Sequence, residues 1–160
     1  MAVDMFLKLD DVKGESVDST HKGEIDILSW SWGMTQSGTT HSGPGGGAGK
    51  VSVQDLSLTK YVDAATPNFM KLCSSGKHFK KAVLVVRKAG GTALEYLKIT
   101  MEEGIISSIT TGGSGGEDRL TETVSLNFGK YKVEYAPQKA DGSGGATVEA
   151  AWDIAGTKAA

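Results

Sequence analysis

Between Glu24 and Gln36 the chain reads EIDILSWSWGMTQ, a strand-like alternation that slips by one residue partway along. Ile25 and Ile27 are apolar at odd positions, whereas Leu28, Trp30, Trp32 and Met34 are apolar at even ones, opposite Ser29, Ser31, Gly33 and Thr35. Successive side chains of a strand point to opposite faces, so the slip requires a bulge or sharp bend near Ile27 and Leu28. Past that point one face is bulky and the other is small and hydroxylated. Strands of this kind can pack a core behind them and present a polar lining in front.

The slip recurs twice. In Lys50 to Val62, Val51 and Val53 are odd while Leu56 and Leu58 are even, and in Arg119 to Tyr135 the parity changes at Gly129, the expected bulge position. The first two slipping strands flank Ser37 to Gly49 (SGTTHSGPGGGAG), which predicts a wide hairpin with matched bends around a mobile polar excursion. A strand that changes face turns the corner of a barrel or offers its second half to a neighbouring subunit.

Other elements follow from local signals. Val3 to Leu9 reads as a strand and Lys13 to Gly23 as a loop. Thr66-Pro67-Asn68 opens a two-turn helix, with Thr66 as cap, Phe69, Met70, Leu72 and Cys73 on its apolar face and Gly76 at its end. Lys81 to Lys88 has the continuous apolar centre of a strand covered on both sides, Gly90-Gly91 marks a turn, and Leu94 to Met101 returns. Glu102-Glu103-Gly104 is expected to break the chain before a strand over Ile105 to Thr111. Glycine-rich TGGSGGED precedes Arg119 to Tyr135, and Val148, Ala150, Trp152 and Ile154 share one face of a last strand. Seven or eight strands and one helix in 160 residues predict a single mainly β domain, a sandwich or closed barrel.

Chemistry is sparse. A net charge of −2 supplies no cationic field for nucleic acid, and Cys73 is the only cysteine, so no internal disulfide forms. His21, His41 and His78 occur singly, without paired metal-ligand spacing. Cys73 lies on the apolar helix face, where it reads as a structural cysteine rather than a nucleophile served by His78. TGGSGGED lacks the GK[ST] ending of a phosphate loop, and Glu102-Glu103 and Glu117-Asp118 read as solvated pairs. No catalytic, metal or cofactor site is expected. The first residues lack a secretory pattern, and no apolar run is long enough to span a bilayer, so synthesis in the cytosol is expected. Trp30 and Trp32 read as core residues, with a sugar-stacking platform as the alternative.

The segments MAVDMFLKLDDVKGES, SWSWGM, KVSVQDLSLTKYVDAATPNFMKLCSSGKHF, RKAGG and SSITTGGSGGEDRLTETVSLNF, in this order, resemble the Hcp (haemolysin co-regulated protein) family, tube subunits of the bacterial type VI secretion system. The resemblance covers nearly the whole chain. It implies a β-barrel of two sheets with one short helix, forming a homohexameric ring with an open channel. Rings stack into a tube that a contractile sheath expels with its spike, carrying effectors. It further implies a non-enzymatic protein, cytoplasmic before firing and then released outside or into a target cell without a cleaved signal. Placed in that frame, Ser29, Ser31, Gly33 and Thr35 are expected on the channel wall in contact with effectors. The glycine-rich arm, with Thr39, Thr40, His41, Ser42, Gly43 and Pro44, is expected to reach the adjoining ring. The alternative from another class is a monomeric carbohydrate- or ligand-binding β-domain that uses the tryptophans.

Overall fold

A computed structural model describes residues 3–38, 48–89 and 93–160. Within them the chain forms β1 (Val3–Leu9), β2 (Ile25–Asp26), β3 (Ser29–Ser31), β4 (Met34–Gly38), β5 (Ala48–Val53), β6 (Leu56–Tyr61), α1 (Thr66–Ser75), β7 (Phe79–Lys88), β8 (Leu94–Thr111), β9 (Thr121–Tyr135), β10 (Val148–Asp153) and β11 (Lys158–Ala159). The class is mainly β with one short helix, in two sheets, as expected. Nine strands make the larger sheet: β11-β10-β9-β8-β7-β1-β2 in order, with β6 joining β9 to β3, while β4 and β5 pair by themselves. The count differs from the expected seven or eight because the run from Glu24 to Gln36 divides into β2, β3 and β4 and the run from Lys50 to Val62 into β5 and β6, while two expected strands merge into β8 and β11 is added.

The fault between Ile27 and Leu28 is a change of partner. The Ile27 N–H donates to Met5 O on β1, and the next N–H, of Leu28, donates to Thr59 O on β6. Ile25 and Ile27 are buried on the β1 side, and Trp30 packs against the core from the β6 side. The hairpin bends again where Gln54 N–H donates to Gly33 O and Trp32 Nε1–H donates to Gln54 O. Beyond that bend β4 pairs with β5 as far as Gly38 and Ala48, so strand extends into both ends of the stretch expected to be loop.

Two expectations are corrected in β8 and β9. Glu102-Glu103-Gly104 does not end a strand, because β8 runs unbroken for 18 residues. Gly129 is not an inserted residue either. Glu102 pairs with Lys130 and Gly104 with Phe128, so the β8–β9 register is the same on both sides of it. The face changes on both strands at one rung: Ile99 and Met101 give way to Ile106 on β8, and Val133 and Tyr131 to Phe128 and Leu126 on β9. Two strands that turn together keep their pairing, and Glu103 absorbs the turn at φ 55°. The inserted residue is Ser107, where the ladder shifts between Ile106 and Ser108.

The helix runs from Thr66 to Ser75 and ends on left-handed Gly76, as expected. Its capping position is Ala65, not Thr66, and no side chain caps it directly. Thr66 is committed elsewhere. Its hydroxyl donates to Glu122 Oε2 at 2.6 Å and accepts from the Asp63 N–H. Lys60, wholly buried, places Nζ 2.5 Å from the same Glu122 oxygen and 2.8 Å from Asp63 Oδ1. Thr111 donates to the other Glu122 oxygen. This buried ionic cluster and Phe69, fully buried, fasten a helix that is too short to persist alone.

Candidate functional site

Register across four strands assembles the face that Ser29 and Ser31 begin. Ser29 pairs with Thr59, Thr59 with Thr123, and Thr123 with Thr110. Two rungs away, Ser31 pairs with Ser57, Ser57 with Ser125, and Ser125 with Ser108. Directly paired residues share a face, so β3, β6, β9 and the second half of β8 present two rows of four hydroxyls. Behind them Trp30, Leu58, Val124 and Ile109 occupy the core side. Only Ser29 and Ser31 of the eight were singled out by sequence, although the alternation in SLT, SSITT and TETVSL carries the same period-two signal.

Of the other proposed wall residues, Gly33 lies at the hairpin bend and contributes no side chain. Thr35 is exposed on β4, beside Ser52 in the separate two-stranded sheet. Thr39, Thr40, His41, Ser42, Gly43 and Pro44 lie outside the described residues.

The lower end of the hydroxyl face is tied by one carboxylate. Ser107 Oγ donates to Asp55 Oδ2 at 2.6 Å, and Asn127 Nδ2 donates to Asp55 Oδ1 at 2.8 Å. Past the rung of Glu103 and Gly129 the outer face of β8, β9 and β10 becomes ionic: Lys98 pairs with Glu134, Glu102 with Lys130, and Lys132 Nζ lies 3.4 Å from Glu149. One long pair of strands thus carries a neutral surface and a charged one.

Trp32 stands edge-on to Tyr131, with ring centroids 5.0 Å apart, and contacts Phe128 at 5.8 Å. With both tryptophans turned to the core, the sugar-stacking alternative loses its platform. Cys73 likewise packs toward the core. His21 is buried against Phe6, with ring nitrogens 3.0 Å from Glu24 and 2.5 Å from Glu95 carboxylate oxygens.

The loop around His21 is fastened by Arg87, whose guanidinium donates to both oxygens of Asp18 at 3.0 and 2.6 Å. These bonds hold the Asp18 carboxyl well below the ordinary aspartate range, against the opposing effect of burial and with help from the N–H groups of Thr20 and His21. A carboxyl depressed in the folded state stabilises it fully above the ordinary range, and that contribution is lost as pH falls through the folded value. Acidification well below the usual aspartate range is therefore expected to loosen this loop. Amide exchange of Thr20 and His21 followed down the pH scale checks this, and protection that falls only with global unfolding contradicts it.

Comparison with known proteins gives one consistent answer. The family described as "Type VI secretion system effector, Hcp" matches residues 6–135. Protein hcp1 of Pseudomonas aeruginosa is 64% identical over 156 residues, covering 96% of each chain. The crystal structure of Hcp1 from Salmonella typhimurium covers 100% of both chains with TM-score 0.82 and 40% identity. A structure described as a type six secretion system protein aligns with TM-score 0.92 and 30% identity over 98% of this chain and 99% of its own. Matched by this family from Phe6 to Tyr135 and superimposable on its solved members, the chain belongs to the Hcp family, the tube proteins of the type VI secretion system.

Proposed function

We propose that this chain is the repeating subunit of the inner tube, closing into hexameric rings whose channel is walled by the hydroxyl face. The observation that carries this reading is the run β3-β6-β9-β8 within the larger sheet, whose two outer strands, β3 and the second half of β8, are unlike and, among the described residues, have no strand partner on their outer sides, with α1 packing against β8. Among the described residues β3 pairs with β6 alone, and β8 beyond Gly104 pairs with β9 alone. An open edge offers unpaired N–H and C=O groups, and two different edges on one subunit suit head-to-tail closure. The ring follows from joining one edge to the next copy's other edge.

In this assembly Ser29 and Ser31 face the channel with their hydroxyl neighbours, and Gly33 and Thr35 line its continuation along the hairpin. The arm bearing Thr39, Thr40, His41, Ser42, Gly43 and Pro44 reaches the adjoining ring. Effectors occupy the channel, while the spike and contractile sheath of the same system are the outer partners. The protein works by self-association and performs no reaction. It resides in the cytoplasm until firing and leaves through the machine.

Native mass measurement and electron microscopy of purified protein test the ring: annular particles of six copies support it, and a concentration-independent monomer overturns it. Ser31→Arg tests the wall. It places a long cation among short neutral groups and is expected to leave the ring intact while lowering co-purification of the system's small effectors about tenfold, the effect of one unfavourable contact of about 1.4 kcal/mol. Loss of the ring itself would show that Ser31 lies at a subunit contact instead.

A further inference from the structure

Asp55 lies one residue before β6, and the register that pairs Leu56 with Leu126 sets it beside Asn127 on β9. Its bond to Ser107 reaches past β9 to the far strand, β8. In a flat sheet the two strands flanking a third are about 9.6 Å apart, a span that two short side chains do not bridge. The 2.6 Å contact between Ser107 Oγ and Asp55 Oδ2 therefore draws β6 and β8 toward each other over β9. A tie of this kind favours a sheet that is concave on its hydroxyl side. Ser107 is also the inserted residue of the β8–β9 ladder, and bulges bend a strand and increase its twist. One carboxylate thus holds the bulge and the two strands beside it in a fixed curve.

Curvature per subunit decides how many copies complete a closed sheet. We propose that Asp55 is the positioning residue that sets the curvature of the channel wall and, through it, the number of copies that close the ring. The inference rests on the ring reading above. Asp55 acts through Ser107 and Asn127, at the end of the wall rather than among the two rows of hydroxyls.

The full-length chain, wild type and variants, is compared by native mass spectrometry over a dilution series, with circular dichroism and thermal unfolding to establish folding. Asp55→Ala is expected to keep the fold but lower the share of the wild-type ring about tenfold, in line with loss of a charge-assisted hydrogen bond, and to yield open or miscounted assemblies. Asp55→Asn is expected to restore the wild-type count, because an amide can accept from Asn127 and donate to Ser107 Oγ. A merely structural contact would move the unfolding temperature without changing the count. Ser107→Ala removes the same tie without altering Asp55 and repeats the effect, which keeps the test decisive if Asp55→Ala does not fold. Rings of unchanged count and dilution stability in Asp55→Ala, or in Ser107→Ala, overturn the role of Asp55 alone. Absence of rings in the wild type overturns the tube reading and this inference together.

Discussion

Replacing Lys60 with methionine is expected to lower the unfolding free energy by about 3–5 kcal/mol, the usual cost of removing one partner from a buried ion pair. Methionine nearly fills the space, so lost volume is not the cause. The cause is Glu122, whose side chain has no exposure and which would keep only the hydroxyls of Thr66 and Thr111 against its charge. The damage should spread to the helix, since Lys60 Nζ also bonds Asp63 at 2.8 Å and the Tyr61 carbonyl at 2.9 Å just before α1 begins. For a domain of this size the corresponding fall in Tm is about 6–20 °C. Urea denaturation at one fixed protein concentration checks the value, because assembly shifts apparent stability by mass action. A second substitution, Glu122→Leu, is expected to recover part of the loss, as apolar replacement of a whole buried pair commonly does. A single variant as stable as the wild type would show that the cluster contributes nothing.

Gly104→Val is the second large effect expected, about 3 kcal/mol or more, at the upper end of overpacking costs. A Cβ at this position would stand 2.2 Å from Phe79 Cζ and 2.5 Å from the Asn127 carbonyl oxygen. The ring of Phe79 can swing aside at the expense of its own burial. The carbonyl belongs to β9 and moves only if the strand moves, next to the rung where both strands change face. Combining Phe79→Leu with Gly104→Ala separates the two contributions: the aromatic clash is relieved and the backbone clash stays. Calorimetry of the single and double variants should therefore show partial recovery, and full recovery would locate the whole penalty in the aromatic ring.

Period-two parity made much of this architecture legible. It located the partner change at Ile27 and Leu28, the matched bend in the facing strand, and the exposed side of Ser29 and Ser31. The helix from Thr66 to Gly76 was also legible, because proline and glycine act locally. Parity even places Lys60 in phase with Leu56 and Leu58, and Glu122 in phase with Val124 and Leu126. What it does not supply is register between distant strands. That Lys60 meets Glu122, and that Ser31, Ser57, Ser125 and Ser108 form one row, depends on a pairing across 62 residues of chain in the first case and on three ladders in the second. Glu102-Glu103-Gly104 misled for a related reason. A local signal of irregularity is the same whether a strand stops or turns with its neighbour, and only the unchanged pairing of β8 with β9 distinguishes the two.

The two rows of hydroxyls have an ionic consequence. A bore built from them holds no fixed charge along those rows and so gathers no counterion cloud there. In the proposed channel a passenger would displace water but release no salt, so that filling and emptying would be nearly indifferent to ionic strength, in contrast to the Lys and Glu mosaic on the other half of the same strands.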